Sequence, residues 1–166
     1  MMNSKHFLKT REYLEQVKEA AQKVEMLKKR IEFAEEAGID TASLAKELDA
    51  ARKEQAQKMV EVSGMIAKVP KVSYQWLLTK RYVELLGWDD IAYMNNTSHR
   101  NVISEHGLAL PEMQDVLMEA GIVAEEDADD VEVIMYEAGA DNIGTMKDYL
   151  NYREEKRTEQ KSSMRL

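Results

Sequence analysis

Between positions 10 and 34, apolar and small residues return every seven positions. Thr10, Val17, Val24 and Ile31 form one line, and Tyr13, Ala20, Leu27 and Ala34 form a second three residues later. A period of seven keeps such residues on one side of a slightly underwound helix, so the chain must lay this stripe along a second helix. The β-branched residues of the first line suit a two-stranded pairing, and Glu, Lys and Gln fill most remaining positions. Ala37-Gly38-Ile39-Asp40-Thr41 then supplies a stop and a start: Gly38 can take the left-handed cap conformation, and Asp40 or Thr41 can cap the next helix. A second stripe follows at Leu44, Leu48, Ala51, Gln55, Met59, Val62 and Ile66, and it ends before Pro70. Two antiparallel helices that bury each other's stripes satisfy this pattern. A dimerisation stalk satisfies it as well, and one arrangement does not exclude the other.

The rest of the 166-residue chain narrows the class. With 33% charged residues, 7% aromatic residues, 7 Gly and 2 Pro, the composition favours helix over sheet. The absence of cysteine removes disulfides, thiol nucleophiles and thiolate metal sites, and His6, His99 and His106 are too scattered to form a metal site. No apolar run is long enough to span a bilayer, and the first residues lack the apolar stretch of a signal peptide, so a soluble, cytoplasmic protein is expected. No phosphate-cradling glycine loop, nucleophile elbow or paired-carboxylate constellation appears, so neither an enzyme nor a cofactor is expected. The eleven Met read as core filler.

Three segments emerge: a helical stalk over 1–69, a compact helical block over 70–120 and an acidic helical tail over 121–166. The net charge of −8 divides among them as +1, −3 and −6. In the block, helices are expected over 74–86, 88–94 and 98–110, with Ser73 able to cap the first and Pro111 limiting the third or starting another. Gly87 separates the first two. Asn95-Asn96-Thr97 separates the second and third, a spacing that suits a helix-turn-helix. In the tail, 124–130 reads as an acidic linker without calcium-loop spacing, and helices are expected over 131–138 and 145–160.

The block carries a recognisable set of residues: Leu78, Arg81 and Tyr82, then Trp88-x-x-Ile91-Ala92, Ser98-x-Arg100-x-Val102, and His106-Gly107-x-Ala109-Leu110. Over about 35 residues without a gap this resembles the region-four helix-turn-helix of sigma factors. It resembles more closely the small phage and prophage late-gene transcription regulators of the ArpU and RinA type. The resemblance implies an all-α fold and binding of double-stranded DNA, with RNA polymerase as a further partner and a homo-oligomer formed through residues 10–69. Asn95-Asn96 stands where the motif usually reads Leu-Gly, and Glu105 stands where it carries an apolar residue. Asn tolerates the left-handed conformation, so Asn96 can replace the glycine.

Elementary chemistry agrees with that reading. Ile91, Ala92, Val102 and Ala109 fall on inward positions, and Thr97 or Ser98 can cap the helix that follows, leaving backbone N–H groups free to meet a phosphate. Residues just inside that N-terminus are the ones a recognition helix aims at base edges: His99, Arg100, Asn101 and Ser104. Arg100 can contact guanine and Asn101 adenine, each in bidentate fashion. Lys71 and Lys80 are candidates for phosphate contacts, whereas Arg81 is expected to serve the fold by packing against Tyr82 and a helix end. Two further classes fit the chain. One is an acidic protein-interaction module that uses the helix-turn-helix as a scaffold and imitates nucleic acid toward a polymerase or nuclease. The other is a small terminase-like DNA-packaging subunit.

Overall fold

A computed structural model of the chain describes residues 6–130, and these are all-helical, with six α-helices and no strand. The helices expected over 131–138 and 145–160 lie outside the described residues. The elements are α1 (Leu8–Leu14), α2 (Gln16–Glu36), α3 (Ala42–Ile66), α4 (Val72–Leu78), α5 (Trp88–Met94) and α6 (His99–Glu119). A π-helical turn, Thr79–Val83, continues α4. Among the described residues, no helix is long and apolar enough to cross a membrane.

The seven-residue lines fold inward along their length: Val17, Ala20, Val24, Leu27 and Ala34 are buried on α2. Opposite them, Ala51, Val62 and Ile66 are buried on α3. The two helices run antiparallel, because Lys23 pairs with Glu54 at 3.3 Å and Arg30 with Glu47 at 3.6 Å. The stripe is therefore consumed within one chain, and oligomerisation through residues 10–69 has to use another face.

Gly38, at φ +70, makes the reversal between α2 and α3. Ile39 N–H donates to the Ala34 carbonyl at 2.8 Å and Gly38 N–H to Glu35 at 3.1 Å, which satisfies two carbonyls that the helix end would otherwise orphan. Thr41 occupies the cap position of α3 without a side-chain bond, while Asp40 Oδ1 accepts from Ala42 N–H at 3.1 Å.

The repeat over 10–34 suggests one uninterrupted helix, but the chain breaks at Glu15 into α1 and α2. Thr10 and Tyr13 thereby leave the α2–α3 seam, and α1 packs on α6. One core holds Phe7, Leu14 and Val17, together with Val62 and Ile66 of α3, Leu78 and Tyr82 of the α4 segment, and Leu110, Met113 and Leu117 of α6. The division at 69/70 is thus a break between helices and not a break in the core. Side chains of this size contribute roughly 1.5–3 kcal/mol each when fully buried.

That burial explains why α6 runs straight through Pro111, where a limit or a restart is expected from sequence. A proline inside a helix costs about 3 kcal/mol. Leu110, Met113, Val116 and Leu117 lie buried on both sides of it, so the packing outweighs the lost backbone bond. Lys71, not Ser73, occupies the N-cap position of α4.

The start of the acidic segment is not merely a solvated linker. Gln114 is buried, donates to the Asp129 carbonyl at 3.0 Å and accepts from Asp129 N–H at 3.0 Å. The Asp129 carboxylate in turn accepts from Phe7 N–H at 2.6 Å and lies 3.4 Å from His6 Nδ1. Residues 6–7 and 129 are fastened together over the end of the core.

Thr10 is fully buried, and its hydroxyl has no hydrogen-bond partner among the described residues. An unsatisfied buried hydroxyl costs about 1–3 kcal/mol, and a methyl of the same shape removes that cost. Thr10→Val is expected to raise unfolding stability by about 1 kcal/mol, read as a higher denaturant midpoint at unchanged slope. A loss of stability would show that the hydroxyl is satisfied.

Candidate nucleic-acid interface

The polar residues singled out by sequence gather at the start of α6, and the turn before that helix places them. Asn96 adopts φ 51, the left-handed conformation. Its N–H donates to the Tyr93 carbonyl at 3.2 Å and Thr97 N–H donates to Ala92 at 3.0 Å, the same closure that Gly38 makes after α2. Ser98 caps α6, its Oγ accepting from Asn101 N–H at 3.2 Å. Beneath the turn, Ile91, Ala92 and Val102 are buried with Leu77 in a small second core flanked by Trp76, Leu86 and Trp88. Ala92 is small enough to let α6 cross α5 closely.

This packing leaves Ser98, His99, Arg100, Asn101 and Ser104 exposed, with Thr97 half-buried. Arg100 forms no ion pair or hydrogen bond among the described residues, so its five donors face solvent. Asn101 Nδ2 donates one hydrogen to Thr97 Oγ1 at 3.0 Å. Its second hydrogen and its carbonyl oxygen stay available, which is the pair a bidentate contact to adenine requires. His99 Nδ1 lies 2.7 Å from Asp89 Oδ1.

Lys71 and Lys80 belong to α4 and its continuation instead, and both are engaged there. The Lys71 ammonium lies 4.6 Å over the Tyr74 ring. Lys80 pairs with Glu84 at 2.9 Å and lies 5.8 Å over Trp76. Arg81 serves the fold: it donates to the Leu86 carbonyl at 3.1 Å and stacks 4.2 Å over Trp88. Among the described residues, no group of three or more His, Asp and Glu is placed to hold a metal.

Sequence reasoning misses three residues of this surface. Ile103 is partly exposed one turn beyond Arg100, and Tyr93 is 86% exposed at the end of α5. Asp89 reads in sequence as an ordinary acid in the first turn of a helix, favoured there by the helix dipole. Nothing in the sequence signals its contact with a residue ten positions on. Tyr93 can be found by register, since Ile91 and Ala92 claim the inward face.

His106 lies behind the surface and is a packing histidine. Its Nε2 shares a 2.6 Å hydrogen bond with the Tyr82 hydroxyl, and Trp88 meets its ring edge-on at 4.7 Å between centroids. Burial, reinforced by the positive charges of Arg81 and Arg11, pulls the His106 pKa down to about 3. Burial also pushes the Tyr82 hydroxyl up to about 12. Comparison with protein-family models, with curated proteins and with solved structures finds no match to this chain.

Two outcomes follow from this geometry. Asn96→Ala puts a Cβ-bearing residue without a polar aid in the left-handed region, at a cost of roughly 1–2 kcal/mol, whereas Asn96→Gly is expected to stay near neutral. Thermal unfolding of the two variants measures the difference. For His106, the unfolded chain takes up a proton below the ordinary value of 6.5 while the folded chain does not. Stability is therefore full above 6.5 and declines as pH falls, by about 1.5–2 kcal/mol between pH 6.5 and 5 from this residue. Urea titrations across that range should show the decline in the parent and a flatter profile in His106→Gln.

Proposed function

We propose that this chain is a phage- or prophage-type transcription regulator that reads double-stranded DNA through a helix-turn-helix made of α5, the Asn96 turn and α6. In this reading α2 and α3 form a helical hairpin that carries the reading head, and the segment beyond Gly121 is an acidic tail. One observation carries the proposal. The first turns of a long helix, capped by Ser98 and braced by the buried crossing of Ile91, Ala92 and Val102, present an unengaged Arg100 and a half-engaged Asn101 to solvent. Arg100 suits guanine O6 and N7, Asn101 suits adenine, and Ile103 supplies an apolar contact for a thymine methyl. Backbone N–H groups at the α6 N-terminus suit a phosphate.

The hairpin buries its own seam, so a homo-oligomer would use outward residues such as Met26 and Phe33, both exposed and one heptad apart. RNA polymerase remains the proposed second partner. An acidic protein-interaction module is the alternative, favoured by the exposed Asp89 and Asp90 beside the reading helix and by the net charge of −8. Electrostatic affinity for DNA arises from neutralised phosphates, and this surface has few cations to offer.

Titration of the protein against the duplex flanking its own gene and against random duplex, at two salt concentrations, separates the two readings. The DNA reading expects selective binding that weakens with salt. Arg100→Ala and Asn101→Ala are each expected to cost roughly 1–3 kcal/mol, about 5- to 150-fold in affinity. Absence of duplex binding at low salt would exclude it and direct the search to a basic protein partner by pull-down.

A further inference from the structure

What the start of α6 presents is governed partly by a residue outside that helix. Asp89, in the first turn of α5, places Oδ1 2.7 Å from Nδ1 of His99, the first residue of α6. Asp89 is 91% exposed and His99 54% exposed, so the pair stands on the surface beside Arg100. An exposed pair of this kind adds little to stability. Its effect falls on the ring. A hydrogen bond to one imidazole nitrogen decides which nitrogen carries the proton. In a neutral ring facing a carboxylate through Nδ1, the proton lies on Nδ1, and Nε2 keeps a lone pair.

That assignment changes the chemistry His99 offers. A ring protonated on Nε2 is a donor, suited to phosphate oxygens or to guanine. A ring held by Asp89 is an acceptor, and in the major groove the donors it can meet are the exocyclic amino groups of cytosine and adenine. The carboxylate also repels the phosphate backbone, which penalises poses in which the helix rests on the duplex without reading it.

We propose that Asp89 is a specificity-determining residue of this surface: it fixes His99 as an acceptor for a cytosine or adenine amino group and turns away sequence-independent phosphate contact. The inference rests on the DNA reading given above. It sets a pattern of donors at Arg100, a donor and acceptor at Asn101 and an acceptor at His99 across the first turn of α6.

The test has two arms. Two-bond 1H–15N correlation spectra of the 15N-labelled full chain report the ring tautomer without any DNA. The proton of His99 is expected on Nδ1 in the parent and is expected to move to Nε2 in Asp89→Ala. In the second arm, the parent, Asp89→Ala and His99→Ala are titrated against duplexes varied one base pair at a time. Both variants are expected to lose about three- to tenfold of preference at the same base pair, the range a single hydrogen bond supplies. Asp89→Ala alone is expected to bind random duplex more tightly than the parent does.

A parent ring protonated on Nε2 or on both nitrogens overturns the proposal. So does relaxation at different base pairs in the two variants. Both results leave the DNA reading standing if Arg100→Ala still weakens binding, whereas a parent that binds no duplex overturns the two together.

Discussion

The setting of α5 against α6 depends on a short stack of polar and aromatic groups between them. Arg81 donates to the Leu86 carbonyl and lies flat over Trp88. Trp88 meets His106 edge-on, and His106 shares its hydrogen bond with Tyr82. These contacts join the end of the α4 segment, the start of α5 and the middle of α6. A partly buried hydrogen bond of this sort is costly to leave unmade, so the stack favours the observed setting of the three helices. The low pKa of His106 keeps its ring neutral at ordinary pH, and a neutral ring is what the apolar surroundings tolerate.

The stack also links the two cores. Tyr82 belongs to the large core that α1, α3 and α6 share, while Trp88 packs against the small core of Leu77, Ile91, Ala92 and Val102. The split begins at Leu77 and Leu78, neighbours that face the small and the large core respectively, and the π-helical turn over Thr79–Val83 follows them, with Glu84 N–H donating to the Thr79 carbonyl at 2.9 Å. The long helices are thereby coupled to the candidate interface through packed side chains. His99, Arg100 and Asn101 sit on a packed helix and not on a loop.

Much of this was legible from residue spacing. The lines through Val17, Val24 and Leu27 and through Ala51, Val62 and Ile66 are buried as their period requires, because a helix fixes which residues share a face. The left-handed Asn96 and the capping Ser98 follow from local chemistry that needs no neighbour. Other features depended on distant partners. Phe7 and Leu14 lie off the seven-residue lines, yet both are buried, because the break at Glu15 turns α1 toward α6. Pro111 looks like a boundary until Leu110, Met113 and Leu117 find their partners. Lys80 looks like a free cation until Glu84 and Trp76 close around it.

The amino-acid sequence by itself determined the helical class, the reversal at Gly38, the closure at Asn96 and the identity of the exposed polar residues at the start of α6. Each is set by backbone geometry and side-chain chemistry within a few residues. Tertiary structure alone decided that the α2 stripe is satisfied within the chain, that Asp129 returns to Phe7 and Gln114, and that Asp89 meets His99. Those outcomes join groups far apart in sequence or on different helices, and which of several capable partners a side chain meets is settled by how the helices pack.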